Sequence, residues 1–137
     1  MEKLMTMHSG SCLCGAVKYR IDAPIESATH CHCSQCRKGN GAAFASYGNV
    51  RREHFHFTQG LEQVTEFHSS PGVTRTFCQQ CGSNLQWFAE HPRPNWLSVA
   101  LGTLDSALGE IPQKHIYPES KADWYSIADG MPQEHRS

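Results

Sequence analysis

Cys31-His32-Cys33-Ser34-Gln35-Cys36 places three thiols within six residues, a density that makes sense if all three sulfurs turn toward one ion. Cys12 and Cys14 precede this stretch and Cys78 and Cys81 follow it, so the seven cysteines divide into a central three and a flanking two plus two. A disulfide scaffold fits poorly. The number is odd, and the paired cysteines of the two C-x-C segments close a disulfide only under strain. Reduced thiols holding metal are the better account.

The 137 residues suit one domain spanning 1–137, long enough to bury a single core. Thirteen acidic and twelve basic side chains give a net charge of −1, so no strong field recruits nucleic acid or a membrane surface. Arg37-Lys38 and Arg51-Arg52 are too short to form basic patches. Met1 to Ser9 lack the apolar run of a secretory signal, and no stretch approaches the ~18 apolar residues of a membrane span. The expected location is the cytoplasm.

Working outward from the central cysteines, Val17, Tyr19 and Ile21 alternate with Lys18 and Arg20, the period of a half-buried strand. If the backbone is extended at Cys12 and Cys14, their side chains leave the same face and reach one ion. Ser34 is placed to cap a single helical turn that Gly39 and Gly41 stop. Ala42 to Tyr47 and Phe55 to Thr58 read as strands, the second with His54 and His56 outward. That His-x-His pair fits exposed positions on an amphipathic strand, with a ligand pair as the alternative. Val64 to Phe67 and Val73 to Phe77 flank Pro71-Gly72 and predict a hairpin that delivers Cys78. Cys78-Gln79-Gln80-Cys81-Gly82 has the form of a zinc knuckle, with Gly82 able to take the positive φ that the curl needs. Leu85 to Phe88 and Trp96 to Leu101 read as further strands, with Trp96 expected in the core. From His115 onward no period is evident. Many short strands with frequent turns predict an all-β domain of antiparallel strands with little helix.

Zinc takes four thiolate or imidazole ligands at about 2.3 Å, closed in structural sites and open at one position in catalytic ones. Four plus three fits that distinction. Cys12, Cys14, Cys78 and Cys81 are assigned to a closed structural site, and Cys31, Cys33 and Cys36 to a site whose fourth ligand comes from elsewhere. Water, a substrate, His30, His32 or the distant His115 are the candidates. If a histidine closes it, the second zinc is structural too.

Gly10-Ser11-Cys12-Leu13-Cys14-Gly15, then Cys31-His32-Cys33-Ser34-Gln35-Cys36-Arg37-Lys38, then Phe77-Cys78-Gln79-Gln80-Cys81-Gly82 together resemble the glutathione-dependent formaldehyde-activating enzyme family. His115-Ile116-Tyr117-Pro118-Glu119-Ser120-Lys121 with Trp124 resembles that family's closing segment. The resemblance implies a zinc-stapled β-tent fold like that of methionine sulfoxide reductase B, with one structural zinc and one at the three-cysteine site. It also implies a carbon–sulfur lyase type of chemistry in which glutathione adds to formaldehyde to give S-(hydroxymethyl)glutathione, with Cys31, Cys33 and Cys36 as the catalytic set. The family is broad and includes centromere protein V, so the metal sites follow from membership more directly than the aldehyde does. Arg37 and Lys38 are the cations nearest the site in sequence, facing either the carboxylates of the tripeptide or solvent.

The competing reading is a non-catalytic zinc module that recognises a thiol or protein partner. Nucleic acid is disfavoured: seven thiolates and two Zn²⁺ add −7 + 4 = −3 to the formal −1, giving about −4, the wrong sign for phosphates. A methionine sulfoxide reductase would need a reactive cysteine outside the zinc sites, and the chain has no eighth cysteine. Enzyme and binding module are separated by whether the three sulfurs open into a pocket or lie under packed side chains.

Overall fold

The structure, a computed structural model, describes residues 7–136; Met1 to Thr6 and Ser137, part of the expected leader-free start and of the 1–137 span, lie outside the described residues. It is an all-β fold of two sheets. The smaller has the order β1-β2-β5, where β1 is His8–Ser11, β2 Lys18–Ile21 and β5 Phe55–Gln59. The larger runs β11-β10-β3-β4-β9-β8-β7-β6, with β3 Ser27–Cys31, β4 Ala45–Arg51, β6 Val64–Ser70, β7 Val73–Cys78, β8 Asn84–Ala89, β9 Trp96–Ala100, β10 Gln113–Ile116 and β11 Gln133–Glu134. One α-helix, α1 (Ser34–Asn40), stands among the described residues.

The sheets meet over a core of Tyr19 and Ile21 from β2, Phe55 from β5, Val50 from β4, Leu97 and Val99 from β9, and Ile25. The alternation in Val17, Tyr19 and Ile21 is what buries one face of β2, all three being at most 2% exposed. Tyr19 stacks on Phe55 at 4.7 Å and bonds Thr103 through its hydroxyl at 2.6 Å. Its ring fills the space beside Gly10, where an added Cβ would lie 2.2 Å from the ring.

Pro71-Gly72 turns the β6–β7 hairpin as expected, with Gly72 at φ 74°. Most pairings are antiparallel, but β10 runs parallel to both β3 and β11. That tail strand carries no alternation because its last two residues, His115 and Ile116, are both buried, one toward each face of the sheet. Trp96 departs from expectation: it is only partly buried, held between Arg51 and Arg93 with guanidinium carbons 5.1 and 4.1 Å from its ring centre. The aromatic face is used for cation stacking and cavity lining rather than for core packing. Trp124 is 70% exposed.

Register carries the site. Paired residues line one face of the large sheet: Lys114 with Thr29 and Tyr47, then Ser27 with Asn49, Ser98, Trp87 and Arg75. Cys31 and Ile116 end the rows at the top of β3 and β10. Side chains alternate across a sheet, so His30 and His115 point to the opposite face.

Candidate metal centres and the cavity beside one of them

Two groups of sulfurs converge. Cys12, Cys14, Cys78 and Cys81 lie with their ligand atoms within 4.8 Å of one another, and so do Cys31, Cys33 and Cys36. All seven are free thiols.

In the first group, Cys12 and Cys14 do not sit on extended backbone as expected. They occupy a turn between β1 and β2, closed by the Gly15 N–H donating to the Cys12 carbonyl at 3.0 Å. The curl gains an N–H···S bond from Val17 to Cys12 Sγ at 3.2 Å, which an extended strand could not offer. The opposite turn follows the knuckle expectation: Gly82 has φ 81° and its N–H reaches the Cys78 carbonyl at 2.7 Å. The sulfur separations are 3.6 Å for Cys12 to Cys14 and 3.8 Å for Cys14 to Cys78. A tetrahedron with metal–sulfur bonds of ~2.3 Å has edges of about 3.8 Å, so the spacing fits one tetrahedral ion. Ser83 braces both turns, its hydroxyl accepting from the Leu13 N–H at 2.9 Å and lying 3.3 Å from Cys81 Sγ. Hydrogen bonds from Ser83 bring the Cys81 thiol down to about 5.

The second group is built by the end of β3 and the start of α1. Cys33, not Ser34, caps the helix: its sulfur accepts from the Cys36 N–H at 3.3 Å, and the helix runs to Asn40 before Gly41 turns left-handed. A sulfur that caps a helix faces backbone donors, which favours the thiolate. Hydrogen bonds from the neighbouring thiols hold Cys33 well below the usual thiol range, while the same pairing drives Cys31 far above it. Three sulfurs this close cannot all be ionised without a cation among them. The donor set is therefore one that a soft divalent ion such as zinc fits.

The fourth position is not filled by histidine. Among the described residues no imidazole nitrogen joins the three-sulfur group. His30 bonds Ser46 at 2.8 Å and Gln113 at 2.9 Å. His32 Nε2 meets His115 Nδ1 at 2.8 Å, and His115 Nε2 meets Asp129 at 2.8 Å, a buried chain that ties the tail to β3. Burial first, then the neighbouring His115, lowers His32 to about 4, so its ring is neutral. His54 and His56 are not ligands either; both hold Asp22, at 2.8 and 3.1 Å.

The three sulfurs open into a cavity of about 730 Å³. Its charged lining is Arg75, Arg93, Lys114 and Arg136, and among the described residues no Asp or Glu lines it. Arg37 and Lys38, for which the sequence left open the tripeptide carboxylates or solvent, do not line it. Arg75 takes their place. Its two terminal nitrogens lie 3.7 and 3.9 Å from Cys36 Sγ, its Nε donates to Ser69 Oγ at 2.9 Å, and Nη1 donates to Tyr47 Oη at 3.4 Å. Burial pushes the Tyr47 hydroxyl far up, so it stays protonated. Sequence reasoning missed Arg75; the available signal was its place between Thr74 and Thr76 on a hairpin strand whose threonines face inward.

The fold and the two sulfur clusters define a small β protein with two candidate metal centres, one of them open to a cavity. The profile of the glutathione-dependent formaldehyde-activating enzymes matches residues 7–120. The chain belongs to this family. It is 33% identical over 129 residues to a Halomonas elongata protein whose name provisionally assigns it to these enzymes, covering 86% of this chain and 79% of that one. A Schizosaccharomyces pombe protein named as an uncharacterised lyase is 27% identical over 81 residues, 59% of this chain and 57% of the relative. The crystal structure of a Rhodobacter sphaeroides protein is similar with a TM-score of 0.63 and 25% identity, over 77% of this chain and 98% of that one.

Proposed function

We propose that the chain, folded as a single domain over 1–137, is a zinc-dependent enzyme of the carbon–sulfur lyase type. It binds glutathione or a similar thiol and forms its adduct with formaldehyde or another small aldehyde. The observation that carries this reading is a three-sulfur cluster that no further His, Cys, Asp or Glu among the described residues completes, opening into a cavity large enough for a peptide thiol. A purely structural centre is closed by four protein ligands. Cys12, Cys14, Cys78 and Cys81 meet that description and are assigned the structural ion.

Cys31, Cys33 and Cys36 would hold the second zinc, which would supply positive charge favouring the thiolate form of an incoming thiol. The chain's own residues do the rest. Arg75 balances the negative charge gathered at Cys36. Tyr47, protonated and fixed by Arg75, can donate to the aldehyde oxygen as the carbon–sulfur bond forms and the carbonyl π bond opens. The thiol's proton leaves and the oxygen gains one, so thiol plus aldehyde gives the hydroxyalkyl thioether without redox change. His32 and His115, named from the sequence as candidates for the fourth ligand, are bonded to each other on the other face of the sheet. Neither lines the cavity. Free thiols throughout the chain suit the reducing cytoplasm.

The test is adduct formation at neutral pH with and without protein, with Cys33→Ala as control. Acceleration by the wild-type protein alone supports the enzyme. Equal rates in all three samples at protein levels that saturate thiol binding leave a thiol-binding zinc module.

A further inference from the structure

We propose that Lys114 and Arg136 form a carboxylate-binding subsite that makes this cavity selective for acidic peptide thiols. The inference rests on the reading of the three-sulfur end as the thiol's anchoring point. A cavity whose charged lining is all cationic concentrates anions, and the cations differ in what they have left to offer.

Arg75 is engaged by Cys36, Tyr47 and Ser69. Arg93 stacks on Trp96, which the register sets three two-residue steps and two strands from Cys31. At ~3.3 Å per residue that is roughly 20 Å along the strands, beyond the ~10 Å that separates thiol from carboxylate in an extended tripeptide. Lys114 is close. It pairs with Thr29 on the strand beside Cys31, two residues below the Ile116 to Cys31 pair, so the two Cα atoms are roughly 8 Å apart.

Glu134 orients the pair. Lys114 Nζ donates to Glu134 Oε1 at 2.6 Å and Arg136 Nε donates to Oε2. Each cation spends one donor there and keeps the others. Glu119 is engaged by His135 and the Arg136 backbone N–H, so the two side-chain cations share the Glu134 carboxylate alone and keep donors for a further carboxylate, that of the substrate. The arrangement exists before the ligand arrives, so less side-chain freedom is lost on binding. Both cations also line the cavity, whereas Glu134 does not. Selection then falls on thiols with a carboxylate within about 10 Å of sulfur, and neutral or cationic thiols lose this contact.

The experiment is calorimetric titration of the zinc-loaded full chain with glutathione and with glutathione diethyl ester, at low salt. Wild type should bind glutathione about tenfold or more tightly than the ester, the scale of one charge-assisted hydrogen bond. Lys114→Met with Arg136→Gln should bring the two affinities together by weakening glutathione alone, and Lys114→Arg should keep the preference. Should the double variant not fold, Arg136→Gln, at an exposed position, should by itself reduce the preference. Equal affinities in wild type, or a preference that survives these substitutions, would overturn the subsite. The thiol-site reading fails separately, by the absence of zinc-dependent adduct formation with either thiol.

Discussion

Replacing Arg75 by methionine keeps an unbranched apolar stem and removes the guanidinium, with its charge and its hydrogen bonds to Cys36, Tyr47 and Ser69. Two guanidinium nitrogens stand 3.7 and 3.9 Å from Cys36 Sγ. A unit charge pair at that separation is worth about 4 kcal/mol at an effective dielectric of 20. Arg75 is only partly buried, so water screens part of this and bringing the guanidinium to the sulfurs costs some of the remainder. Loss of a group that hydrogen-bonds a metal ligand typically lowers metal affinity ~10–100-fold, about 1.4–2.8 kcal/mol, which sits inside that bound. Arg75→Met should therefore weaken the more labile zinc by about this factor in competition against a chromophoric chelator. The tightly held ion at Cys12, Cys14, Cys78 and Cys81 should be unaffected. Arg75→Lys, which restores charge without the planar fork, should recover part of the loss. A labile-ion affinity within twofold of wild type would refute the assignment of Arg75 to the charge balance of this centre.

Three further outcomes are expected. Cys78→Ser or Cys81→Ser should unfold the chain or leave it insoluble, because structural zinc can represent ~10–16 kcal/mol of folding free energy, whereas Cys31→Ser should be milder; thermal midpoints compare them, and equal losses would contradict the division of roles. Gly10→Ala should destabilise by about 2–4 kcal/mol in urea unfolding, since its Cβ meets the Tyr19 ring at 2.2 Å and displaces a 2%-exposed side chain from Phe55 and Thr103; a loss under ~0.5 kcal/mol would mean that the ring moves freely. Asp22 is pushed up by partial burial but held below its ordinary value overall by His54 and His56; the stability this gives is fully present above the unfolded carboxylate value near ~4 and is lost as pH falls through the lower folded value. Asp22→Asn should accordingly narrow its stability gap to wild type on acidification below about pH 4, and a gap that widens there would contradict the assignment.

The grouping of the sulfurs was legible because ligand spacing is local: C-x-x-C-G curls around an ion whatever surrounds it, and Pro71-Gly72 turns wherever two strands flank it. Alternation in β2 and β5 likewise exposed the core face. What failed depended on partners distant in sequence. The turn at Cys12 and Cys14 owes its shape partly to Val17 and Ser83, and Cys33 caps the helix only because its sulfur can reach the Cys36 N–H. Arg75 and Lys114 enter the cavity through strand register, and β10 lies parallel to β3 across more than eighty residues, which no local period encodes. His32 neighbours the sulfurs in sequence, yet it follows the end of β3 and bonds His115, which alternation along β10 sends to the other face.

A metal ion at Cys31, Cys33 and Cys36 would leave one position for an exogenous thiol. The most direct measurement is equilibrium dialysis of glutathione against protein carrying its full complement of about two zinc ions, repeated after mild chelation has removed the more labile ion and again after zinc is restored. One glutathione should bind per chain in the first state, binding should be lost in the second and it should return in the third. Glutathione binding that persists after the labile ion is gone, or none in the zinc-loaded protein, would contradict the open fourth position.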